Sequence, residues 1–401
     1  MNAAVVVTGL GAIAPHGDDP QAMFAALMRA ESAIKQVFPE LPKPAAAATV
    51  AFDESRWFTK LQLAGVDRVS QLAVAAADLA MRDAGALGDV APERLGVYAG
   101  CGMGGAAALE AAYRGNGRVP PLTIPAFMPN APASHVAMRQ QAQGPVLTYS
   151  MACASSAVAI AEAAKAVQAG EVDVAIAGGS EALIVPGVVL AWQAMQTLAA
   201  FTPDAASTAV RPFAIDRSGF ALGEGAAFVI LESEARARQR GARIYAQLAG
   251  WGLSTDATHL TKPDAPGQVR ALNAALRRAD LAPRDIGYCN AHGTATKVGD
   301  VVERDALASV WGTHFAELRV SSTKALHGHL LGGAGALEAV ITILALHQRQ
   351  LPPNAHCQAA DPACSMNLVL ETNTAAPQLE AAISNSFAFG GSNSVLLFKR
   401  A

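Results

Sequence analysis

Four short segments of this sequence carry residues whose types and spacing can do covalent chemistry. Cys153 lies in Ser150-Met151-Ala152-Cys153-Ala154-Ser155-Ser156, between a β-rich run and a helical one. A cysteine at a helix N-terminus gains from the positive end of the helix dipole, which favours the nucleophilic thiolate. A sharp strand–turn–helix connection also exposes such a side chain. Alone, a cysteine is more often a buried and inert residue. His292 lies in Asn290-Ala291-His292-Gly293-Thr294-Ala295-Thr296, a glycine- and threonine-rich loop after a strand, open to close approach by a ligand. His329 lies in Ser321-Ser322-Thr323-Lys324-Ala325-Leu326-His327-Gly328-His329-Leu330-Leu331-Gly332, again between a strand and a helix. One thiol and two imidazoles at strand ends supply a nucleophile and two groups that can donate from Nε2.

The fourth segment, Asn385-Ser386-Phe387-Ala388-Phe389-Gly390-Gly391-Ser392-Asn393, reads as a turn between two strands. Its small residues suit a loop that offers backbone N–H groups to an oxyanion. Gly219-Phe220-Ala221-Leu222-Gly223-Glu224-Gly225 lacks the spacing and following helix of a phosphate-binding loop, so nucleotide binding is rejected. The five cysteines are odd in number and show no CxxC spacing. That argues against a disulfide framework or a metal centre and for a reducing cytoplasm.

These segments need strands and helices to hold them. Strands are expected at Ala4–Thr8, Leu95–Ala99, Val146–Ser150, Val172–Ala177, Ala226–Leu231, Tyr245–Leu253, Ile286–Asn290, Arg319–Ser322, Leu368–Glu371, Ala382–Asn385 and Ser394–Phe398. Helices are expected at Val69–Asp83, Ala154–Gln168, Val269–Ala279, Asp300–Val310 and Gly333–Gln348. Such alternation predicts an α/β fold with helices covering the sheets. A repeat supports duplication. Residues 69–100 and 269–292 each run amphipathic helix, Ala-Pro turn, short strand, and each copy leads to a strand and a small-residue helix. The chain therefore divides into halves 1–240 and 241–401, packed as one body. In the repeat register, Cys153 and His329 hold equivalent places, so facing halves would bring them together.

Of the 401 residues, 52% are hydrophobic and 16% charged, with 30 Lys and Arg against 33 Asp and Glu. This excludes a disordered chain and gives no basic surplus for nucleic acid. The uncharged stretch Ala182–Pro203 is interrupted by Pro186, Gly187 and polar residues, and Leu330–Leu346 carries Glu338. Neither is expected to span a membrane. The N-terminus lacks the basic start of a signal peptide.

In this order and spacing, Cys153, NAHGTAT, SSTKALHGHLLGGAG and NSFAFGGSN resemble the elongating β-ketoacyl–acyl carrier protein synthases, condensing enzymes of the thiolase superfamily. The resemblance covers essentially the whole chain. It implies a thiolase-like fold of two pseudo-symmetric halves in a layered αβαβα arrangement. It implies decarboxylative Claisen condensation, in fatty-acid or specialised elongation such as polyketide or aryl polyene assembly. Cys153 would take the acyl chain, with the N–H groups of Cys153 and Phe389 as oxyanion hole. His292 and His329 would hold the malonyl thioester, supported by Lys324 and the buried Glu338. Phe387, Ala388 and Phe389 would gate the site, Thr294 and Thr296 would bind pantetheine, and Met103 and Phe127 would line the acyl pocket. No resident cofactor is implied, since 4'-phosphopantetheine arrives on the carrier protein. Partners would be an acyl carrier protein and a second subunit, in a homodimer or a heterodimer with a related chain. A non-condensing chain-length-factor-like subunit is the alternative, and the intact Cys153 argues against it.

The chain departs from the family pattern in several places. Leu63-Ala64-Gly65-Val66-Asp67 replaces a stretch that commonly holds a basic pair, leaving Lys60 and Arg68 as candidates for carrier docking. Gln196 replaces a usual arginine, and Lys297 stands where proline is common. The segment from Pro129 to Cys153 is about one helical turn short.

Overall fold

The computed structural model describes residues 3–401. Eleven strands form one mixed sheet. In chain order they are β1 (Val5–Ile13), β2 (Leu95–Gly100), β3 (Val146–Tyr149), β4 (Val174–Glu181), β5 (Gly225–Ser233), β6 (Ala246–Thr255), β7 (Tyr288–Asn290), β8 (Arg319–Ser321), β9 (Asn367–Leu368), β10 (Ala381–Phe387) and β11 (Ser392–Lys399). The spatial order is β9-β8-β7-β10-β11-β6-β1-β5-β4-β2-β3. Taking five strands from each half, β3-β2-β4-β5-β1 and β8-β7-β10-β11-β6, the two halves share one order. They also share directions. β1–β5 and β4–β5 are antiparallel, while β2–β4 and β2–β3 are parallel. β6–β11 and β10–β11 are antiparallel, while β7–β10 and β7–β8 are parallel. The seam between halves is narrow: Val6 pairs with Gln247 and Val7 with Ala246.

Six helices frame the site: α1 (Arg68–Ala84), α2 (Ser155–Gln168), α3 (Pro186–Ala194), α4 (Ala265–Ala279), α5 (Gly299–Trp311) and α6 (Ala334–Gln348). α1 packs on the outer face of β1 and β5, and α4 on that of β6 and β11. α2 and α6 lie against each other and touch strands of both halves, forming the central layer. Every residue of α6 from Ala334 to Leu346 is buried. With the turn before it, the stretch Leu331–Gln348 is apolar and long enough to cross a membrane, but 89% of it is buried in the fold. Helices on both sides of the sheet explain why β1 and β4 are buried throughout instead of alternating. α2 and α6 approach closely because Gly335 lacks a side chain: a Cβ there would stand 2.8 Å from that of Ala157.

The predicted helices and most strands are present with shifted ends. β1 and β6 run longer, and α4 starts four residues earlier, at Ala265. The expected strand Leu368–Glu371 is reduced to Asn367–Leu368: the Val369 N–H still closes the ladder on Val320 O, but its carbonyl is taken by Asn354 N and pairing stops there. The sequence reading missed α3 and a small sheet of Ile34–Val37, Ala45–Ala48 and Leu222–Gly223. α3 has no polar face to mark it, and the Ala-Ala-Ala-Ala strand has weak β propensity.

Candidate active site

The turn that presents Cys153 is strained and braced. Ala152 adopts φ +44°, in the left-handed region. Ser155 holds it there: its hydroxyl accepts from Met151 N at 2.8 Å and donates to the Ala152 carbonyl at 2.7 Å. α2 begins at Ser155, so the thiol sits just before its N-terminal end.

From the other half, His329 reaches Cys153, with Nε2 3.1 Å from Sγ. Its main chain is pinned on both sides, N–H to Ala221 O and C=O from Gly223 N, each at 2.8 Å. His292 packs edge-on to His329 with ring centroids 5.4 Å apart. One ring nitrogen of each histidine and the sulfur of Cys153 all lie within 4.8 Å of one another.

The neighbours of the two Nδ1 atoms decide the tautomers. The backbone N–H of Leu331 donates to Nδ1 of His329 at 3.3 Å. The ammonium of Lys324 lies 3.5 Å from Nδ1 of His292 and donates to the His292 carbonyl at 2.7 Å. Both Nδ1 atoms are therefore acceptors, and each neutral ring carries its hydrogen on Nε2. Burial, then the Lys324 charge, holds both imidazoles well below their ordinary value, so they stay neutral. The same tautomers disfavour a metal ion on this Cys-His-His set, because a Nε2 ligand would turn Nδ1–H against an N–H donor.

Lys324 and Glu338 form a buried ion pair behind His292. Burial raises Glu338 to about 7, and the Lys324 charge opposes the rise. Burial also pushes the Cys153 thiol up to about 12, against the pull of Lys324. The resting group is thus a thiol. The α2 terminus and the Nε2–H of His329 stabilise the thiolate that attack requires.

Cys153, His292, His329, Thr294, Thr296, Phe387, Ala388 and Phe389 all line one cavity of about 380 Å³. Thr294 and Thr296 share a hydroxyl contact at 3.0 Å. Phe389 opens a tight turn, which leaves its N–H without an internal helical partner. Gly390 at φ +83° supplies the left-handed residue this turn needs. The Phe389 ring stacks on Trp192 of α3, at 6.0 Å and 25°.

Other assignments fall elsewhere. Met103 and Phe127 do not line the cavity. Met103 is half-exposed and its N–H is held by Glu181, while Phe127 ends the short helix Thr123–Phe127. Arg68 is not a free docking group, because its guanidinium is bonded to Glu224 at 2.7 and 2.9 Å and to Val50 O at 2.8 Å. Lys60 is exposed.

Residues missed at the sequence level complete the support. The Glu303 carboxylate accepts from His292 N, Gly293 N and Asn385 Nδ2 at 2.8–3.0 Å, fixing the histidine loop to the C-terminal hairpin. Glu181, in the otherwise apolar β4, accepts from Gly102 N and Gly332 N at 2.8 and 3.0 Å, joining the two halves beside the site. An acid inside a fully buried strand was the readable signal. Buried Arg217 donates to Thr296 O and Lys297 O at 3.0 and 2.9 Å and pairs with Asp361 at 2.6 Å. Nothing local marked its role.

The profile of the β-ketoacyl synthase N-terminal domain matches residues 2–237, and that of the C-terminal domain residues 245–358. The chain belongs to the β-ketoacyl synthase family. Its sequence is 40% identical to nodulation protein E of Rhizobium meliloti over 408 residues, covering all of both chains. It is 36% identical to 3-oxoacyl-[acyl-carrier-protein] synthase 2 of Staphylococcus aureus strain N315, covering 100% of this chain and 99% of that one. Among solved structures, a β-ketoacyl synthase from Burkholderia phymatum STM815 superimposes with a TM-score of 0.91 at 33% identity, with full coverage of both chains. The ishigamide ketosynthase/chain length factor does so at 0.91 and 30%, also with full coverage. This β-ketoacyl synthase therefore has the thiolase-like fold, with one half carrying the cysteine and the other the two histidines.

Proposed function

We propose that this chain is an elongating β-ketoacyl–acyl carrier protein synthase. The observation that carries the reading is the pair of Nε2 hydrogens beside Cys153, set by donors on both Nδ1 atoms. The Cys153 sulfur attacks an acyl thioester, and the thiol proton passes to the pantetheine sulfur as it departs. The N–H groups of Cys153 and Phe389 hold the oxyanion. A malonyl thioester then enters, with its carbonyl oxygen against His292 and His329. Loss of CO₂ leaves an enolate on that oxygen, stabilised by the two Nε2–H donors. The enolate carbon attacks the acyl group, the bond to Cys153 breaks, and a β-ketoacyl chain two carbons longer leaves on the second arm. Lys324 keeps the His292 tautomer, and Glu338 balances its charge. The pantetheine arm comes with its carrier, and no resident cofactor is needed.

The likeness to the ishigamide ketosynthase/chain length factor and the departures at Gln196 and Lys297 support specialised elongation. Met103, Leu122, Ile124 and Met128 are exposed apolar residues, with half-buried Phe127 between the last two, and such a surface suits a second subunit, identical or related. Met103 and Phe127 would then shape the acyl pocket across that interface. All five cysteines are free, which suits the cytoplasm.

Incubation with an acyl–carrier protein should add one acyl mass to the intact protein, and Cys153→Ala should abolish the adduct. An adduct that survives the substitution overturns the reading. His292→Ala or His329→Ala should slow decarboxylation of malonyl–carrier protein by ~10²–10³, the usual effect of deleting one oxyanion donor. Unchanged turnover would remove the assigned roles.

A further inference from the structure

Two lysines stand at the mouth of the cavity that ends at Cys153. Lys262 follows β6 in the loop before α4, and Lys297 precedes α5. Both line the cavity and both are exposed, whereas Cys153 and the histidines at its inner end are buried. Among the described residues, the lysines with ion-pair partners are Lys165 and Lys324, so neither mouth lysine is neutralised. Two of the acids nearby are committed, whereas Asp264, two residues from Lys262, caps α4 without a side-chain hydrogen bond. The carboxylate of Asp256 takes hydrogen bonds from Asn393 and from Asp264 N, and that of Asp361 is held by Arg217. Lys297 is also anchored. Its Nζ donates to Ile215 O at 2.8 Å, and Arg217 fixes its carbonyl. Val298 and Gly299, at the start of the 13-residue helix α5, line the same mouth, so the helix dipole adds to the field. Deeper in, Thr294 and Thr296 offer hydroxyls.

A ligand entering here meets positive charge, then hydroxyls, then the thiol. We propose that Lys262 and Lys297 form an anion-binding rim that takes the phosphodiester joining a pantetheine arm to its carrier protein. This inference rests on the condensing-enzyme reading and deepens it. It also gives a role to Lys297, which departs from the family's usual proline, and supplies basic charge that Arg68 does not.

The test compares two small thioesters with the same acyl group, acyl-phosphopantetheine and acyl-pantetheine, in acylation of Cys153 followed by intact mass. Neither has a carrier protein, so the carrier's surface carboxylates do not contribute. Wild type should prefer the phosphorylated arm in kcat/KM by about fourfold per lysine, from a charge pair ~5 Å apart in water. Added salt should compress that ratio. Lys262→Ala with Lys297→Ala should bring it near one, and Lys262→Arg with Lys297→Arg should restore it. A wild-type ratio near one, a preference seen only with the whole carrier, or a ratio unchanged in the alanine variant overturns the inference while leaving the condensing reading intact. If neither thioester acylates Cys153, the condensing reading fails and the inference falls with it.

Discussion

His292 and His329 differ from surface histidines in what surrounds their nitrogens. Each Nδ1 receives a hydrogen bond or faces an ammonium, and each ring is buried. Their folded values lie well below the ordinary one, so below pH 6.5 the unfolded chain binds protons that the folded chain refuses. Stability contributed by these rings is complete above pH 6.5 and is lost as pH falls toward their folded values. The donor form persists through the same range. Decarboxylation of a malonyl thioester should therefore show no loss between pH 8 and pH 6, while the urea midpoint begins to fall below pH 6.5. A rate limb with an apparent value near 6.5 would contradict the neutral pair. The order of Cys153, His292 and His329 was readable because each sits in a short motif at a strand end. Glu303 and Arg217 were not, because each also ties its loop to a segment distant in sequence, and Met103, expected in the acyl pocket, does not line the cavity.

At the scale of elements, the distance between Cys153 and His329 is set by how closely α2 and α6 pack. Gly335 is the contact point, and a side chain there meets Ala157 and the Ser386 hydroxyl. Gly335→Val should cost about 1–3 kcal/mol through overpacking, measured by urea denaturation. It should also depress acylation of Cys153 more than it depresses folding, because the two helix ends separate. Wild-type acylation in a folded Gly335→Val protein would show that this spacing has slack. The helices themselves were legible from small apolar residues between strand signals. Their mutual contact was visible only as a repeat register that paired Cys153 with His329. α3 stayed hidden for a different reason: with no polar stripe, it gave no helical period, yet it carries Trp192 against Phe389.

At the scale of the molecule, the sheet ends on β3, an edge strand whose Val146 and Leu147 are exposed at 38% and 44%. Exposed apolar edges invite pairing. The chain should therefore associate, and Leu147→Glu should shift it toward monomer in analytical ultracentrifugation; an unchanged sedimentation coefficient would place the interface elsewhere. The duplicated architecture was legible from the repeat. The joining of both halves through two residue pairs on β1 and β6 was not, since pairing between strands some 240 residues apart leaves no local mark. That narrow seam has a consequence in time. The ribosome delivers the cysteine half first, and about 160 residues remain to be made. At ~5–20 residues per second, a nascent chain spends roughly 8–32 s with its cysteine half made and its second half unfinished. Cys153 lacks His329 and the Lys324 charge for the first part of that interval, and the Phe389 turn until nearly its end. The site around Cys153 is therefore complete only when the last hairpin closes.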